Sequence, residues 1–232
     1  MFVPGDIISY HEMCGAEGGA TLQRGMNFRL GGRESVILMS LRKGAPYADR
    51  VEGGGQTLIY EGHDVPKRRG GADPKKVNQS RIFPSGKPTQ NGLFYNAAVS
   101  ARQGKCTPER VRVYEKIKNG IWAFDGIFDL LDAWEERSHG RKVFKFKLQI
   151  NETSSPLQAE ATRDLEHNRI IPSSVKIEVW RRDGGKCVRC GSKDNLHFDH
   201  DLPFSKGGSS ILAKNIQLMC ARHNLEKHNK II

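Results

Sequence analysis

The sequence predicts an α+β protein with a strand-rich N-terminal domain, folded as a curled β-barrel-like sheet, and a small C-terminal domain built around metal ligands. Three observations support this fold class. Apolar and alternating segments recur through residues 1–150, a polar stretch with two prolines follows at 151–174, and two short pairs of Cys and His residues lie beyond it. The predicted domains are therefore 1–150 and 175–232, with 151–174 as the linker.

Apolar or alternating segments in the N-terminal domain are typical of strands. They lie at 35–40, 57–60, 111–117 and 143–148. The dipeptide Asn119-Gly120 is a hairpin-turn signal, so the chain is expected to reverse there. Residues 90–99 are predicted to form a helix. The glycine-rich residues 1–35 are expected to form loops and short strands, and residues 66–90 a long basic loop.

Composition and charge favour an acidic partner and a reducing compartment. The chain has 37 Lys and Arg against 26 Asp and Glu, a net charge of +11, which suits a polyanion although many soluble proteins are equally basic. Three of five cysteines lie in the ligand pairs, leaving Cys14 and Cys106, which is not a disulfide framework. We expect a cytoplasmic protein without a signal peptide or membrane span.

The two ligand pairs predict a zinc site. They are Cys187-x-x-Cys190 and Cys220-x-x-His223. A pair of ligands on a tight turn can occupy two corners of a tetrahedron, and zinc accepts sulfur and imidazole nitrogen in that geometry. One interpretation is a zinc-bound turn that only holds the chain together. That interpretation leaves unexplained why Asp199-His200 and Asn215 lie between the two pairs and Asn224 just after the second.

This segment resembles an HNH endonuclease of the zinc-stapled ββα-metal kind. The family pattern runs C-x-x-C, D-H, P, G-G, N and then C-x-x-C-H/N-x-x-K. The sequence matches it at Cys187, Cys190, Asp199, His200, Pro203, Gly207, Gly208, Asn215, Cys220, Asn224 and Lys227. It departs where His223 replaces the last cysteine. Histidine still binds zinc, so the resemblance implies that the family's final catalytic residue falls on Asn224.

The residue types in the segment suit phosphodiester hydrolysis. His200 is the predicted general base, because a neutral imidazole can accept a proton from water near pH 7. The amide oxygen of Asn215 is predicted to hold the other ring nitrogen. Asp199 and Asn224 offer hard oxygen ligands for one Mg²⁺ or Mn²⁺ ion, which is separate from the structural zinc.

Residues 5–150 resemble an SRA (SET and RING-associated, or YDG) domain. The resemblance rests on the order of several motifs, namely Tyr47, a glycine-rich turn, the segment 58–63, a helix with Asn91-Gly92, the strand 111–113, and Phe124-Asp125-Gly126. Phe124 stands where the family has tyrosine. Members of this family bind DNA and flip 5-methylcytosine or 5-hydroxymethylcytosine into a pocket. The implied partner is double-stranded DNA that carries a modified cytosine.

The resemblance implies a base pocket formed by Tyr47, Asp49, Tyr60 and Glu61. A flipped base needs flat partners on both faces, and Tyr47 and Tyr60 fall where the family places its aromatic side chains. Asp49 is the predicted acceptor for cytosine N4, and Glu61 is expected at the pocket rim. Tyrosines in strands are also common core residues, and the sequence leaves that alternative open. Asp125 and the glycine after it are expected to form a turn that supports the pocket.

Together the two domains resemble a bacterial modification-dependent restriction endonuclease, which binds a modified cytosine by base flipping and cleaves the DNA backbone nearby. One HNH unit cuts one strand, so a homodimer, or paired action of two copies on DNA, is predicted. The linker is expected to let the cut fall at a variable distance from the modified base. Two alternatives stay open. The chain could be an HNH nuclease that is indifferent to base modification, or a reader of methylated DNA that cleaves nothing.

Overall fold

The computed structural model describes residues 2–19, 21–22, 24–67, 69–151, 171–202 and 212–227. Within them a single mixed sheet contains ten strands. The strands are β1 (Asp6–Ser9), β2 (Met26–Asn27), β3 (Ser35–Met39), β4 (Arg50–Glu52), β5 (Thr57–Glu61), β6 (Glu109–Lys118), β7 (Ile121–Ser138), β8 (Arg141–Ile150), β9 (Leu196–His200) and β10 (Ile216–Cys220). The helices are α1 (Tyr10–Ala16), α2 (Gln90–Arg102), α3 (Ser173–Arg182) and α4 (Ala221–Lys227). The predicted α+β class is confirmed.

The predicted strands and the helix α2 are confirmed, and the chain reverses between β6 and β7 as expected. The expectation of only loops and short strands in residues 1–35 is wrong, because α1 forms there. This helix begins with a capping box, in which the Glu12 backbone N–H donates to the Ser9 hydroxyl at 3.2 Å. In return, the Ser9 backbone N–H donates to the Glu12 carboxylate at 2.7 Å. No described helix is long and apolar enough to cross a membrane.

The long strand β7 bends the sheet around one core. It pairs with β6 along its first half and with β8 along its second half. The register shifts by one residue between Val113 and Tyr114, and again between Leu130 and Asp132. Such bulges increase the twist and bend of a strand. The helix α2 packs against β7 and β8, so that its Phe94 joins the buried core inside the curl.

The predicted turn at Asp125-Gly126 is wrong, because both residues lie inside β7. Gly126 has a φ of +114°, which the absence of a side chain permits. A Cβ atom there would lie 3.3 Å from Pro4 Cγ, so the N-terminal segment packs directly on this glycine. Asp125 is 5% exposed and points into the protein. The sequence signal for a turn therefore marks a position inside a strand where another segment packs closely.

Strand β1 joins two parts of the sheet, which we call the N-terminal unit (residues 2–151) and the C-terminal unit (171–227). The strand order runs β10-β9-β1-β7, so β1 lies between the C-terminal hairpin and the rest of the sheet. A second core cluster contains Ile117 and Ala123 of the N-terminal unit together with Val179, Leu196 and Phe198 of the C-terminal unit. The two units therefore share both backbone hydrogen bonds and buried apolar contacts. Most of the predicted linker, 152–170, lies outside the described residues.

A buried ion cluster lies where α3 meets the sheet. Lys176 is 2% exposed, and its ammonium group lies 2.7 Å from Glu115 Oε2 and 2.5 Å from Asp125 Oδ1. Among the described residues the second oxygen of each carboxyl group, Glu115 Oε1 and Asp125 Oδ2, has no hydrogen-bond partner. Burial raises the pKa of Asp125 to about 7; Lys176 opposes this rise and Glu115 adds to it. One ammonium group thus faces two buried carboxyl groups, and the negative charge of Glu115 makes ionisation of Asp125 less favourable.

This cluster predicts a specific pH dependence of stability. Folded Asp125 keeps its proton up to about pH 7, whereas the unfolded side chain loses it near 3.8, so the folded state binds more protons between these values. The free energy of unfolding should therefore fall as the pH rises through this window, by up to about 1.4 kcal/mol per unit, and stay level above it. Denaturant unfolding of the wild type and Asp125→Asn at several pH values measures this. The free energy of unfolding of the wild type minus that of Asp125→Asn should fall as the pH rises from about 4 to about 7. A difference that does not change with pH would contradict the raised pKa of Asp125.

Candidate functional site

Four side chains in the C-terminal unit form a cluster that could hold a metal ion. Their ligand atoms, from Cys187, Cys190, Cys220 and His223, all lie within 4.8 Å of one another. His223 Nδ1 is 3.4 Å from the sulfurs of Cys187 and Cys220, and the sulfurs of Cys190 and Cys220 are 3.8 Å apart. Zinc bonds of usual length in a tetrahedron give N–S and S–S edges of about 3.6 and 3.8 Å. The predicted ligand set therefore fits zinc.

Local structure brings these ligands together. A tight turn closed by the Gly191 backbone N–H, which donates to the Cys187 carbonyl at 2.8 Å, presents the first pair. The last residue of β10, Cys220, and the first turn of α4, with His223, present the second pair. Burial raises the pKa of the Cys187 thiol, but backbone N–H groups, led by that of Cys220, and His223 outweigh it and lower the pKa to about 6. The thiolate is the form that binds metal.

The predicted catalytic residues lie at the end of the β9–β10 hairpin away from Cys220, since Cys220 pairs with Leu196 and His200 pairs with Ile216. Asp199 and His200 are the last two residues of β9. The Asn215 amide oxygen accepts a hydrogen bond from the Leu202 backbone N–H at 2.8 Å, and its amide nitrogen donates to the Leu202 carbonyl at 3.0 Å. Asn215 therefore holds the turn that directly follows His200, and its predicted contact with the His200 ring stays a prediction. Three residues of the pattern lie outside the described residues, namely Pro203, Gly207 and Gly208.

Lys227 is a functional candidate that the sequence analysis matched to a pattern without assigning it a role. It is 1% exposed, and its ammonium group lies 2.5 Å from Asp199 Oδ2 and also donates to the His200 carbonyl. Asn224 precedes it by three residues in α4, so both lie on the same face of the helix. Asp199 and Asn224 have the oxygen atoms that suit Mg²⁺ or Mn²⁺. A divalent ion at Asp199 would share the carboxylate with this ammonium group.

A cavity of about 960 Å³ opens in the N-terminal unit beside Tyr47. The half-buried Tyr47 ring stacks with the His63 ring, with centroids 6.0 Å apart and planes 24° apart. The ammonium group of Lys75 lies 3.9 Å from the centre of the Tyr47 ring and 2.8 Å from Asp64 Oδ2. Tyr47, His63 and Asp64 line the cavity together with Asn91. Its volume falls within the range of about 300–1,000 Å³ that is usual for ligand sites.

Of the four predicted pocket residues, only Tyr47 lines this cavity. Tyr60 is 1% exposed in the core, and its hydroxyl oxygen lies 2.6 Å from the Cβ that a side chain at Gly25 would have. Gly25 lines the cavity and Tyr60 lies behind Gly25, so the Tyr60 ring does not face the cavity. This placement agrees with the alternative that Tyr60 is a core residue. Asp49 accepts hydrogen bonds from the backbone N–H groups of Glu61 at 2.9 Å and Ser40 at 3.4 Å. Burial raises the pKa of Asp49 to about 7 against these bonds.

The sequence led us to expect Glu61 at the rim of the pocket, but Glu61 does not line the cavity. It is 3% exposed, and its carboxylate lies 2.8 Å from Lys145 Nζ and 3.5 Å from the Arg141 guanidinium group. Its Oε2 also accepts a hydrogen bond from the Ala48 backbone N–H at 3.3 Å. Glu61 therefore ties the segment that carries Tyr47 to strand β8.

His63 is a cavity residue that the sequence analysis did not single out. Asn91 of α2 clamps its backbone, since the His63 N–H donates to Asn91 Oδ1 and Asn91 Nδ2 donates to the His63 carbonyl, both at 2.8 Å. A Cβ on Gly62 would lie 2.6 Å from the same Asn91 oxygen, so glycine is needed there. Burial lowers the pKa of His63 to about 4. The ring is therefore neutral near pH 7 and has one donor and one acceptor nitrogen.

Comparison with known proteins identifies the class of the C-terminal unit. Residues 187–230 match the family described as HNH endonuclease. This chain thus carries an HNH endonuclease segment and is a nuclease, and the predicted enzyme class is confirmed. No curated protein matches the chain.

The structure is similar to several solved structures. The SRA domain of SUVH5 in complex with fully methylated CG DNA is 25% identical, with a TM-score of 0.44 over 66% of this chain and 91% of that chain. The same domain bound to fully hydroxymethylated CG DNA is 26% identical, with a TM-score of 0.42 over 67% of this chain and 95% of that chain. The type IV phosphorothioation-dependent restriction endonuclease ScoMcrA is 14% identical, with a TM-score of 0.42 over 98% of this chain and 57% of that chain.

The ligand cluster predicts about one equivalent of zinc in the purified protein. Cys187→Ser removes one of four ligands, so we expect zinc content to fall to a small fraction and the melting temperature to drop, because a structural zinc contributes directly to folding free energy. Metal analysis and thermal unfolding measure both. Cys14→Ser is the matched control, since Cys14 is a free cysteine outside the cluster. Equal zinc content in the two variants would contradict the site.

Proposed function

We propose that this protein is a modification-dependent DNA endonuclease. In this proposal the N-terminal unit binds 5-methylcytosine, or 5-hydroxymethylcytosine, flipped out of a DNA duplex, and the C-terminal unit cleaves the backbone nearby. One observation carries it: the strand with Asp199 and His200 extends the sheet of the N-terminal unit, in which Tyr47, on the loop between β3 and β4, lines a cavity large enough for a nucleobase. The net charge of +11 suits the polyanionic substrate.

The residues of the C-terminal unit divide the work of hydrolysis. His200 accepts the proton of the attacking water, a role that typically contributes about 100- to 10,000-fold in rate. Asn215 holds the turn after His200, and Lys227 fixes the Asp199 carboxylate. Asp199 and Asn224 would hold the divalent ion, which when bound compensates the charge on the phosphate and the leaving oxygen. The zinc ligands position the hairpin and take no part in the chemistry.

In the N-terminal unit, base capture uses the cavity beside Tyr47. The Tyr47 ring provides one flat stacking surface, and such stacking is worth about 1–3 kcal/mol per base. His63 stays neutral near pH 7, so it adds hydrogen-bonding nitrogens to the cavity without placing a charge there. Asp49 and Tyr60 remain the proposed acceptor for cytosine N4 and the proposed second stacking ring. Neither residue lines the cavity, and Tyr60 lies behind Gly25, so stacking of a base on Tyr60 requires the wall at Gly25 to move.

Cleavage of both DNA strands requires two copies of the C-terminal unit, because each has one candidate catalytic histidine and one candidate ion site. We therefore propose that the protein acts as a homodimer on double-stranded DNA. A duplex with a modified cytosine in each strand would engage two N-terminal units at once, which brings two C-terminal units to the same region of the duplex.

His200→Ala tests the nuclease. Loss of the general base should lower the cleavage rate by about 100-fold or more, while affinity for a modified duplex stays unchanged. Cleavage assays with Mg²⁺ or Mn²⁺ and gel-shift titrations measure the two quantities. His11→Ala is the matched control, because His11 is an exposed histidine on α1. If the wild type cuts no DNA with either ion, the protein is a reader rather than a nuclease.

Modified and unmodified copies of one plasmid test the selectivity. The wild type should cut only the modified copy, and equal cutting of both would mean a nuclease indifferent to modification.

Tyr47→Ala should weaken binding of a methylated duplex by about 5- to 150-fold, because one stacking partner is lost, and should leave binding of an unmethylated duplex nearly unchanged. Tyr10→Ala, which removes a half-buried tyrosine outside the cavity, is the control. Equal losses on both duplexes would make Tyr47 a structural residue.

A further inference from the structure

Backbone hydrogen bonds join the two units through β1. Ile7 is paired with Ala123 of β7 on one side and with Leu196 of β9 on the other. Two residues earlier, the Phe198 backbone N–H donates to the Gly5 carbonyl at 3.2 Å. Neighbouring strands in a sheet lie about 4.8 Å apart, so β9 runs only about 10 Å from β7. The strand that carries His200 is therefore a direct extension of the N-terminal sheet.

Side chains support the same junction on both faces of the sheet. His197 Nδ1 lies 2.6 Å from Asp6 Oδ1, directly across the β1–β9 pair. Val179 of α3 and Phe198 of β9 pack in one core with Ala123 of β7. Packed cores adopt discrete arrangements and do not deform continuously, so the two units cannot slide past one another without losing these contacts.

Lys176 makes the placement of α3 specific. Apolar packing alone would tolerate small shifts of a helix, but a buried ammonium group between Glu115 and Asp125 does not. If α3 moved by more than the length of a hydrogen bond, one cation and two carboxyl groups would lie unpaired in an apolar environment. The two acidic residues belong to β6 and β7 of the N-terminal unit, whereas Lys176 belongs to the helix that leads into the zinc cluster.

We propose that Lys176 is a positioning residue, which holds the C-terminal unit in one orientation, so that the DNA cut lies at a set distance from the captured base. This inference rests on the proposed function. It replaces the expectation that the linker 151–174 allows a variable distance. A flexible tether alone would let the nuclease reach a range of phosphates, whereas a shared sheet presents His200 to one part of the duplex.

Cut-site mapping tests this inference. An end-labelled duplex with one 5-methylcytosine should be cut by the wild type at one dominant phosphate on each strand. Lys176→Ala should spread the cuts over several neighbouring phosphates while affinity for the duplex changes by no more than about twofold. Scattered cuts by the wild type, or an unchanged pattern in Lys176→Ala, would overturn the proposal.

A disulfide across the junction gives a second test that does not depend on the folding of Lys176→Ala. Asp6→Cys with His197→Cys places two cysteines at directly paired positions of β1 and β9. If the junction stays closed during catalysis, the oxidised protein should cut at the same phosphate as the reduced protein, at a rate within about twofold. Loss of cutting on oxidation, or a narrower pattern than in the reduced protein, would overturn the proposal. Asp6→Cys alone is the control.

Calorimetry of the unmutated protein separates this inference from the proposed function. If the two units form one body, they should unfold in one cooperative transition. Two separate transitions would overturn the inference even if modified DNA is cut. If the protein unfolds in a single transition but cuts no modified DNA, the proposed function is wrong, whereas the inference that the two units form one body stands.

Discussion

The structure depends on the junction at β1, where one short strand is hydrogen bonded to both units, and on the buried cluster of Lys176, Glu115 and Asp125 beside it. A buried ammonium group is costly to desolvate and is retained only where partners are close. This cluster therefore constrains α3 more tightly than apolar packing would. Through α3 it also constrains Cys187, the first residue of the Cys and His cluster, which lies five residues after the helix ends.

The candidate nuclease site is attached to this junction, because strand β9, which carries His200, pairs with β1. The Cys and His cluster joins the β9–β10 hairpin and α4 at one end, and Lys227 joins α4 to Asp199 at the other. His200 is thus carried by a strand that is fixed on both of its edges, by β1 and by β10. Catalytic groups act best when the scaffold holds them in position before the substrate binds. The N-terminal cavity has an equivalent support, because Asn91 clamps the backbone of His63.

The cluster of Cys187, Cys190, Cys220 and His223 could be predicted from the sequence, because each pair lies within a single turn, where spacing determines geometry. Helix α1 was missed although its capping box, Ser9 with Glu12, is a local signal. The role of Asp125 could not be predicted, since its partner Lys176 is distant in sequence and each looks like an ordinary surface charge. Tyr60 shows the limit of aromatic spacing, because whether a ring faces a cavity or the core depends on which strand packs behind it.

The most direct measurement of the central claim is the distribution of distances between spin labels on the two units. Lys147→Cys on β8 and Lys193→Cys in the segment between Cys190 and β9 are both exposed sites for labelling, and Cys14 and Cys106 can be replaced by serine. Pulsed electron–electron double resonance on the labelled protein should give one narrow peak in the distance distribution. The peak should lie at the same distance with and without modified DNA. A broad distribution, or a peak that moves when DNA binds, would contradict a nuclease built rigidly onto the sheet.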